Sequence, residues 1–149
     1  MRVLIQRVTE GRVVVAEEVV GEIGRGYVLL AGVGEGDNEQ TITKMAEKVV
    51  NLRLFNNEQG KFDMSLLDVA GEALVVSQFT LFGDARKGRR PSFSAAARPE
   101  LAEPLCDLFA LKLKALGVPH VDTGRFGADM KVDIHNDGPV TLWLNSEEW

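Results

Sequence analysis

The sequence is poor in residues that form disulfides or metal clusters. Cys106 is the only cysteine in 149 residues, so no disulfide can form within the chain. His120 and His135 are the only histidines, and this set does not provide the ligand spacing of a zinc cluster. The apolar neighbours of Cys106 predict a small buried residue and not a nucleophile. We therefore expect neither a metal nor a cofactor.

Long hydrophobic runs are also missing. No apolar stretch approaches the ~20 residues of a membrane-spanning helix. Residues 1–8 become polar too soon for a signal peptide, so we expect a cytoplasmic protein without membrane contact. The length fits a single domain over residues 1–149. A chain of this size buries roughly 68–70% of its unfolded surface, which is enough for a stable core.

Acidic residues outnumber basic residues, 22 to 17, but one loop is strongly basic. The net charge of −5 argues against a protein that coats nucleic acid with its whole surface. Four of the five residues from 86 to 90 are nevertheless basic: Arg86, Lys87, Arg89 and Arg90. This loop is either a solvated surface or a shaped segment that presents cations to phosphates, as Gly88 and Pro91 suggest.

The apolar pattern predicts about seven strands and two helices. The predicted strands are 2–8, 12–20, 27–33, 52–55, 73–81, 129–135 and 140–145. The helices are predicted at about 38–51, with a capping box from Asp37 to Gln40, and at 99–116, where Pro104 marks a start or a kink. Two helices are too few for a doubly wound sheet. The expected fold class is α/β of the α+β kind: a single compact domain with an antiparallel or mixed, barrel-like sheet and two main helices packed outside.

Ser77, Gln78, Phe79 and Thr80 form the polar end of a predicted buried strand. Polar side chains there are costly unless they form hydrogen bonds, either with nearby backbone or with a substrate. Thr80 carries a candidate nucleophilic hydroxyl, but no base lies near it in sequence. If an ester is cleaved here, backbone N–H groups are better candidates to hold the oxyanion.

Residues 136–139, Asn-Asp-Gly-Pro, lie between two predicted strands. Their simplest interpretation is a hairpin turn. A Gly-Pro pair is also a place where a cis peptide bond can be used, which makes a rigid backbone corner. Residues 123–130 contain two glycines around Arg-Phe and predict close packing or a loop over a pocket.

Five segments taken together resemble the D-aminoacyl-tRNA deacylase family of the D-Tyr-tRNA deacylase type. They are 6–8, 77–81, 87–88 with 90–93, 123–130 and 136–141. The resemblance runs along essentially the whole chain. It implies a homodimer that hydrolyses the ester between a D-amino acid and the 3′ end of tRNA, its macromolecular partner. It also implies catalysis assisted by the terminal 2′-OH of the RNA and not by a side-chain base.

The same resemblance implies roles for individual residues. Ser77, Gln78, Phe79 and Thr80 would form the catalytic wall, with the Phe79 and Thr80 N–H groups on the oxyanion. Gly138, Pro139, Arg7 and Met130 would bind substrate, and Arg86, Lys87, Arg89 and Arg90 would contact tRNA. The Gly138–Pro139 bond would be cis, would be held by Arg7, and would reach into the partner's pocket. There it would capture the substrate amino group and exclude L side chains, so glycyl-tRNA would also be cleaved.

Two other functions remain open from the residues. One is a module that binds tRNA or a nucleotide without chemistry, which the basic loop and the missing base would suit. The other is a small-molecule esterase with Thr80 as a true nucleophile.

Overall fold

The computed structural model describes all residues from Met1 to Trp149. The eight strands are β1 (Arg2–Val15), β2 (Glu18–Ile23), β3 (Gly26–Gly32), β4 (Phe55–Asn56), β5 (Phe62–Met64), β6 (Glu72–Ser77), β7 (Val121–Thr123) and β8 (Lys131–Asn145). The two α-helices are α1 (Glu39–Asn51) and α2 (Pro99–Ala115), and short 3-10 helices span Phe79–Phe82 and Ser146–Glu148.

The long strand β1 organises a mixed sheet. Its first half pairs antiparallel with β3, its second half pairs antiparallel with β2, and β8 runs antiparallel along its other edge. Beyond β3, strands β6 and β7 are added in parallel. The backbone N–H of Glu22 on β2 donates to Asp122 Oδ2 on β7 at 2.9 Å, which brings the two ends of the sheet together. The predicted barrel-like mixed sheet is confirmed.

The first turn differs from the sequence prediction. The sequence predicted separate strands at 2–8 and 12–20 with a turn between them, but β1 continues to Val15, and the chain reverses at Ala16 and Glu17, whose φ angles are 48° and 68°. Gly11 is buried inside β1, where a Cβ would lie 2.7 Å from Val28 Cγ2. Close packing, and not a turn, therefore requires this glycine.

Both predicted helices are present and pack against the sheet and against each other. The N-cap of α1 is Asn38, whose side chain accepts from Thr41 N at 3.1 Å, so the predicted capping box from Asp37 was one residue early. Asp37 instead accepts from Gly34 N at 2.7 Å and pairs with the buried amino group of Met1. Pro104 lies inside α2, which begins at Pro99.

The core lies between the sheet and the two helices. Its largest fully buried side chains include Tyr27, Phe55 and Phe109, and Tyr27 stacks on Phe55 with ring centroids 5.2 Å apart. Neither helix is long and apolar enough to cross a membrane.

Candidate active site

The polar segment after β6 is a short helix and not the end of a strand. β6 stops at Ser77, and the chain forms a 3-10 helix over Phe79–Phe82, so the prediction of a strand to residue 81 was wrong. The reason is that the neighbouring strand β3 ends here. Ser77 pairs with Ala31, and the N–H of Gln78 makes a last bond to the Ala31 carbonyl at 2.8 Å.

A groove of about 630 Å³ opens beside this helix. Ser77, Gln78, Phe79 and Met130 line it, so the structure brings together four of the predicted site residues. Most of the lining is apolar. Phe79 is 57% exposed and packs edge-on against Phe93 at 5.2 Å between ring centroids. The arrangement suits a small ligand with a large apolar part.

Thr80 lies outside the groove lining, and its side chain is exposed. Its hydroxyl accepts a hydrogen bond from Gln78 Nε2. The two histidines have other contacts: His120 Nε2 lies 3.1 Å from the Glu22 carbonyl oxygen, and His135 Nδ1 lies 3.1 Å from Glu10 Oε1. No base therefore contacts the Thr80 hydroxyl to activate it as a nucleophile.

Backbone N–H groups are the remaining candidates to stabilise a reacting ester at the start of the 3-10 helix. No side chain caps the start of the 3-10 helix. Phe79 and Thr80 are its first two residues. The first N–H groups of a helix have no partner within the helix and are therefore suited to bind an oxyanion.

Cys106 also lines the groove, although it is only 8% exposed. Burial, with a smaller contribution from the nearby carboxylates of Asp107 and Glu103, raises the pKa of its thiol to about 12. A neutral thiol is a poor nucleophile at physiological pH. No three side chains of the His, Cys, Asp and Glu types lie close enough together to hold a metal ion.

Residues 136–139 do not form the hairpin turn that their sequence suggests. Both flanking segments belong to β8 and run in one direction along β1. The register moves from Gln6 opposite Thr141 to Val8 opposite Asn136, so residues 137–140 bulge out opposite Arg7. Gly138 has a φ of +126°, and the Gly138–Pro139 peptide bond is cis. Both residues are exposed, and neither lines the groove of its own chain.

The buried side chain of Arg7 contacts this bulge from the protein interior. It is only 6% exposed, and its Nε donates to the Asp137 carbonyl oxygen at 3.2 Å. Its Nη1 donates to the Leu54 carbonyl oxygen at 2.8 Å. The structure therefore places Arg7 against the Gly138–Pro139 corner, while Met130 lies apart from them in the groove.

The four basic residues of the loop differ in their partners. Arg86 forms two side-chain hydrogen bonds to Asp84, at 2.9 and 2.7 Å, and these bonds lower the pKa of Asp84 to about 2. Lys87, Arg89 and Arg90 are exposed and have no carboxylate within ion-pair distance. Three of the four predicted tRNA contacts are thus free to meet a phosphate, and Arg86 is already paired.

Two aromatic groove residues were not among the predicted site residues. Phe93 and Phe126 both line the groove. The sequence contained a signal for Phe126, because residues 123–130 were expected to form either close backbone packing or a loop over a pocket. Phe93 lies in the segment 90–93 that contributes to the family resemblance, but no role in the site was predicted for it.

Comparisons with known proteins agree with one another. The family model described as D-Tyr-tRNA(Tyr) deacylase matches residues 4–145. The D-aminoacyl-tRNA deacylase of Roseiflexus sp. (strain RS-1) is 58% identical over 146 residues, covering 98% of this chain and 94% of the relative. That of Thermomicrobium roseum is 59% identical over 148 residues, covering 99% and 96%.

Solved structures share the fold. The c-Myc DNA Unwinding Element Binding Protein has a TM-score of 0.91 and 39% identity, covering 97% of this chain and 98% of that one. A probable eukaryotic D-amino acid tRNA deacylase has a TM-score of 0.81 over 96% of this chain and 97% of that one, and at 17% identity it supports the fold alone. With a family model matched across residues 4–145 and relatives more than half identical over nearly the full length, this chain belongs to the D-Tyr-tRNA(Tyr) deacylase family.

Proposed function

We propose that this protein hydrolyses the ester bond of D-aminoacyl-tRNA, releasing free tRNA and the amino acid. The observation that carries the proposal is the apolar groove beside the uncapped start of the 3-10 helix at Phe79, in a member of this family. Its volume of about 630 Å³ is within the ~300–1,000 Å³ range of small-ligand pockets. It is large enough for the aminoacylated terminal nucleoside of a tRNA.

The proposed chemistry uses the backbone donors at the start of the 3-10 helix beside the groove. Water attacks the ester carbonyl carbon, and the N–H groups of Phe79 and Thr80 stabilise the oxyanion that develops there. The bond between the carbonyl carbon and the 3′-oxygen then breaks, and the 3′-oxygen takes up the proton that the attacking water releases. As the family resemblance implies, the neighbouring 2′-OH of the RNA assists the water, which agrees with the lack of a side-chain base at the Thr80 hydroxyl. Thr80 acts through its N–H, so Thr80→Ala keeps measurable activity; complete loss in a folded variant would contradict this role.

The Gly138–Pro139 corner selects the substrate by handedness. In this proposal the protein is a homodimer, and each corner enters the groove of the other subunit. Its carbonyls accept hydrogen bonds from the substrate amino group, and the space left excludes a side chain of L configuration. Three observations support this role: the corner is exposed, Arg7 anchors it, and it does not line its own groove.

Rates on matched substrates test the proposal. The same tRNA should be cleaved when it carries a D-amino acid and should resist cleavage when it carries the L enantiomer. Glycyl-tRNA should also be cleaved, because glycine has no side chain to exclude. Resistance of the D-aminoacyl substrate would refute the activity. Resistance of glycyl-tRNA alone would refute selection by exclusion.

Mixing two inactive variants tests the exchange of corners. Phe79→Pro removes one oxyanion donor at the first position of the 3-10 helix, which is the helical position where proline is best tolerated. Gly138→Ala distorts the corner. If the corner acts in trans, random mixed dimers regain about a quarter of the wild-type activity, because half of the dimers are mixed and half of their sites are intact. No recovery would show that each subunit uses its own corner.

A binding module without chemistry is the second candidate. The free cations of the basic loop favour it, as does the DNA-binding name of one structural neighbour. Release of free amino acid from D-aminoacyl-tRNA separates the two, since a binding module would retain the intact ester. A small-molecule esterase would leave a trapped acyl group on Thr80, which mass spectrometry would detect.

A further inference from the structure

The bulge in β8 interrupts the ladder that should hold it to β1. Between the pairs Gln6–Thr141 and Val8–Asn136, neither Arg7 nor residues 137–140 have a partner in the β1–β8 ladder, although Arg7 still pairs with Tyr27 on β3. Backbone carbonyls at such an interruption need another donor, because a partly buried carbonyl without a hydrogen bond destabilises the fold. The side chains around the bulge show where that donor comes from.

The side-chain amide of Asn136 bridges the two ends of the bulge, which we call its neck. Asn136 Nδ2 donates to the Arg7 carbonyl oxygen on β1 at 3.0 Å and to the Val140 carbonyl oxygen at 3.1 Å. Its Oδ1 accepts from the Thr141 hydroxyl at 3.2 Å. Asn136 thus joins both ends of the bulge to each other and to the neighbouring strand, and it uses both of its N–H donors.

Asn136 and the Arg7 side chain act at different points of the same bulge. The Arg7 guanidinium contacts Asp137, which lies on the side leading into the corner. Asn136 ties the exit at Val140 back to the entry. Asn136 itself is partly buried, whereas Gly138 and Pro139 project into solvent. The direction of that projection depends on how the neck is closed.

We propose that Asn136 is a positioning residue that sets the orientation of the Gly138–Pro139 corner and thereby the discrimination between D and L substrates. The proposal rests on the proposed function of the corner. Asn136 does not touch the substrate; it acts through the two backbone carbonyls. Asparagine is required because its amide donates twice, whereas the isosteric aspartate has no donor and would place its charge against two carbonyl oxygens.

Three variants test this assignment. Asn136→Asp keeps the shape and removes both donors, and Asn136→Ser retains a single neutral donor if the first variant does not fold. Asn51→Asp is the control, because Asn51 Nδ2 also donates to a carbonyl, that of Glu47 at 2.8 Å, but at the exposed end of α1. It introduces the same negative charge at an exposed residue whose side chain makes no contact with the corner.

The measurements are kcat and KM on D- and L-aminoacyl-tRNA, with melting temperature as a check of folding. In Asn136→Asp we expect the ratio of D to L cleavage to fall at least about tenfold, mainly through kcat on the D substrate, since misplaced catalytic geometry lowers turnover steeply. The D-to-L ratio of Asn136→Ser should lie between those of Asn136→Asp and the wild type. The ratio of Asn51→Asp should match the wild type.

An unchanged D-to-L ratio in a folded Asn136 variant would overturn the proposal, even if its melting temperature fell, because the residue would then be structural only. Failure of the proposed function gives a different result. In that case the wild-type protein itself would not cleave D-aminoacyl-tRNA, whatever the variants do.

Discussion

The guanidinium of Arg7 contacts Asp137 twice, from Nε to its carbonyl oxygen at 3.2 Å and to its carboxylate at 3.4 Å. The same side chain reaches Leu54 and Asn56, the latter at 3.4 Å through Nη1. A nearly buried cation thus joins the corner of β8 to the strand β4. The corner is therefore supported from the protein interior and not only by its own turn.

Replacing Arg7 by alanine should destabilise the protein by about 2–3 kcal/mol, because hydrogen bonds from a charged group to buried partners are lost. Urea unfolding measures this change. The control is Arg12→Ala, whose 3.0 Å pair with Asp133 is about half exposed and should cost no more than about 1 kcal/mol. Equal effects at the two sites would show that Arg7 is not the anchor of the corner.

Gly138→Ala should lower cleavage of D-aminoacyl-tRNA at least about 100-fold, because small displacements of catalytic geometry have effects of this size. At φ +126° an L side chain is strained, and its Cβ would lie 2.8 Å from Val140 Cγ2 and 3.1 Å from Arg7 Nη2. Gly60→Ala is the matched control, since Gly60 has φ +75° but nothing within 4 Å of its Cβ position. Its steady-state rate should stay at the wild-type level. Wild-type activity in Gly138→Ala would show that the Gly138–Pro139 corner is not needed for cleavage.

Binding of tRNA should depend on salt through three loop cations and not four. Each of Lys87→Gln, Arg89→Gln and Arg90→Gln should reduce the slope of log K against log salt by about 0.7–0.9, the value for one lost phosphate contact. Arg86→Gln should leave the slope unchanged, because Arg86 is paired with Asp84. A titration of tRNA binding at several salt concentrations checks this. Equal slope changes in all four variants would mean that the Asp84 pair opens on binding.

Much of the architecture follows from sequence patterns with a strong period. The apolar run at β3 and the helical spacing in α1 predicted those elements to within one or two residues. Gly11 misled the prediction, because glycine marks turns in sequence but here fits against Val28 across the barrel. Such close approach depends on the tertiary fold, which local composition does not report.

In the site, too, sequence patterns located the important segments but did not report features that depend on the tertiary fold. The segments around Ser77 and Gly138 were identified from the sequence, and the resemblance implied the cis Gly138–Pro139 bond, but neither the 3-10 helix nor the bulge was predicted. Gly-Pro between two alternating segments predicts a hairpin, and only the pairing of both halves with β1 reveals a bulge. Likewise, Arg86 cannot be distinguished from its basic neighbours in the sequence, because its pairing depends on how the loop folds around Asp84.

The thiol of Cys106 should resist modification although it lines the groove. Burial raises its pKa to about 12, so almost no thiolate forms near pH 8. Native protein should therefore react with a disulfide reagent such as DTNB far more slowly than protein unfolded in guanidinium, whose thiol has a pKa of about 8.5.

The pH dependence of stability gives a second measure of the raised pKa of the Cys106 thiol. A thiol whose pKa is higher in the folded state contributes stability that is complete below about pH 8.5 and is lost as the pH rises towards 12. The stability difference between the wild type and Cys106→Ala should therefore change in this alkaline window and be constant below it. Rapid labelling of the native thiol at pH 8, or a pH-independent difference up to pH 11, would show that the groove admits water to Cys106 and keeps its thiolate solvated.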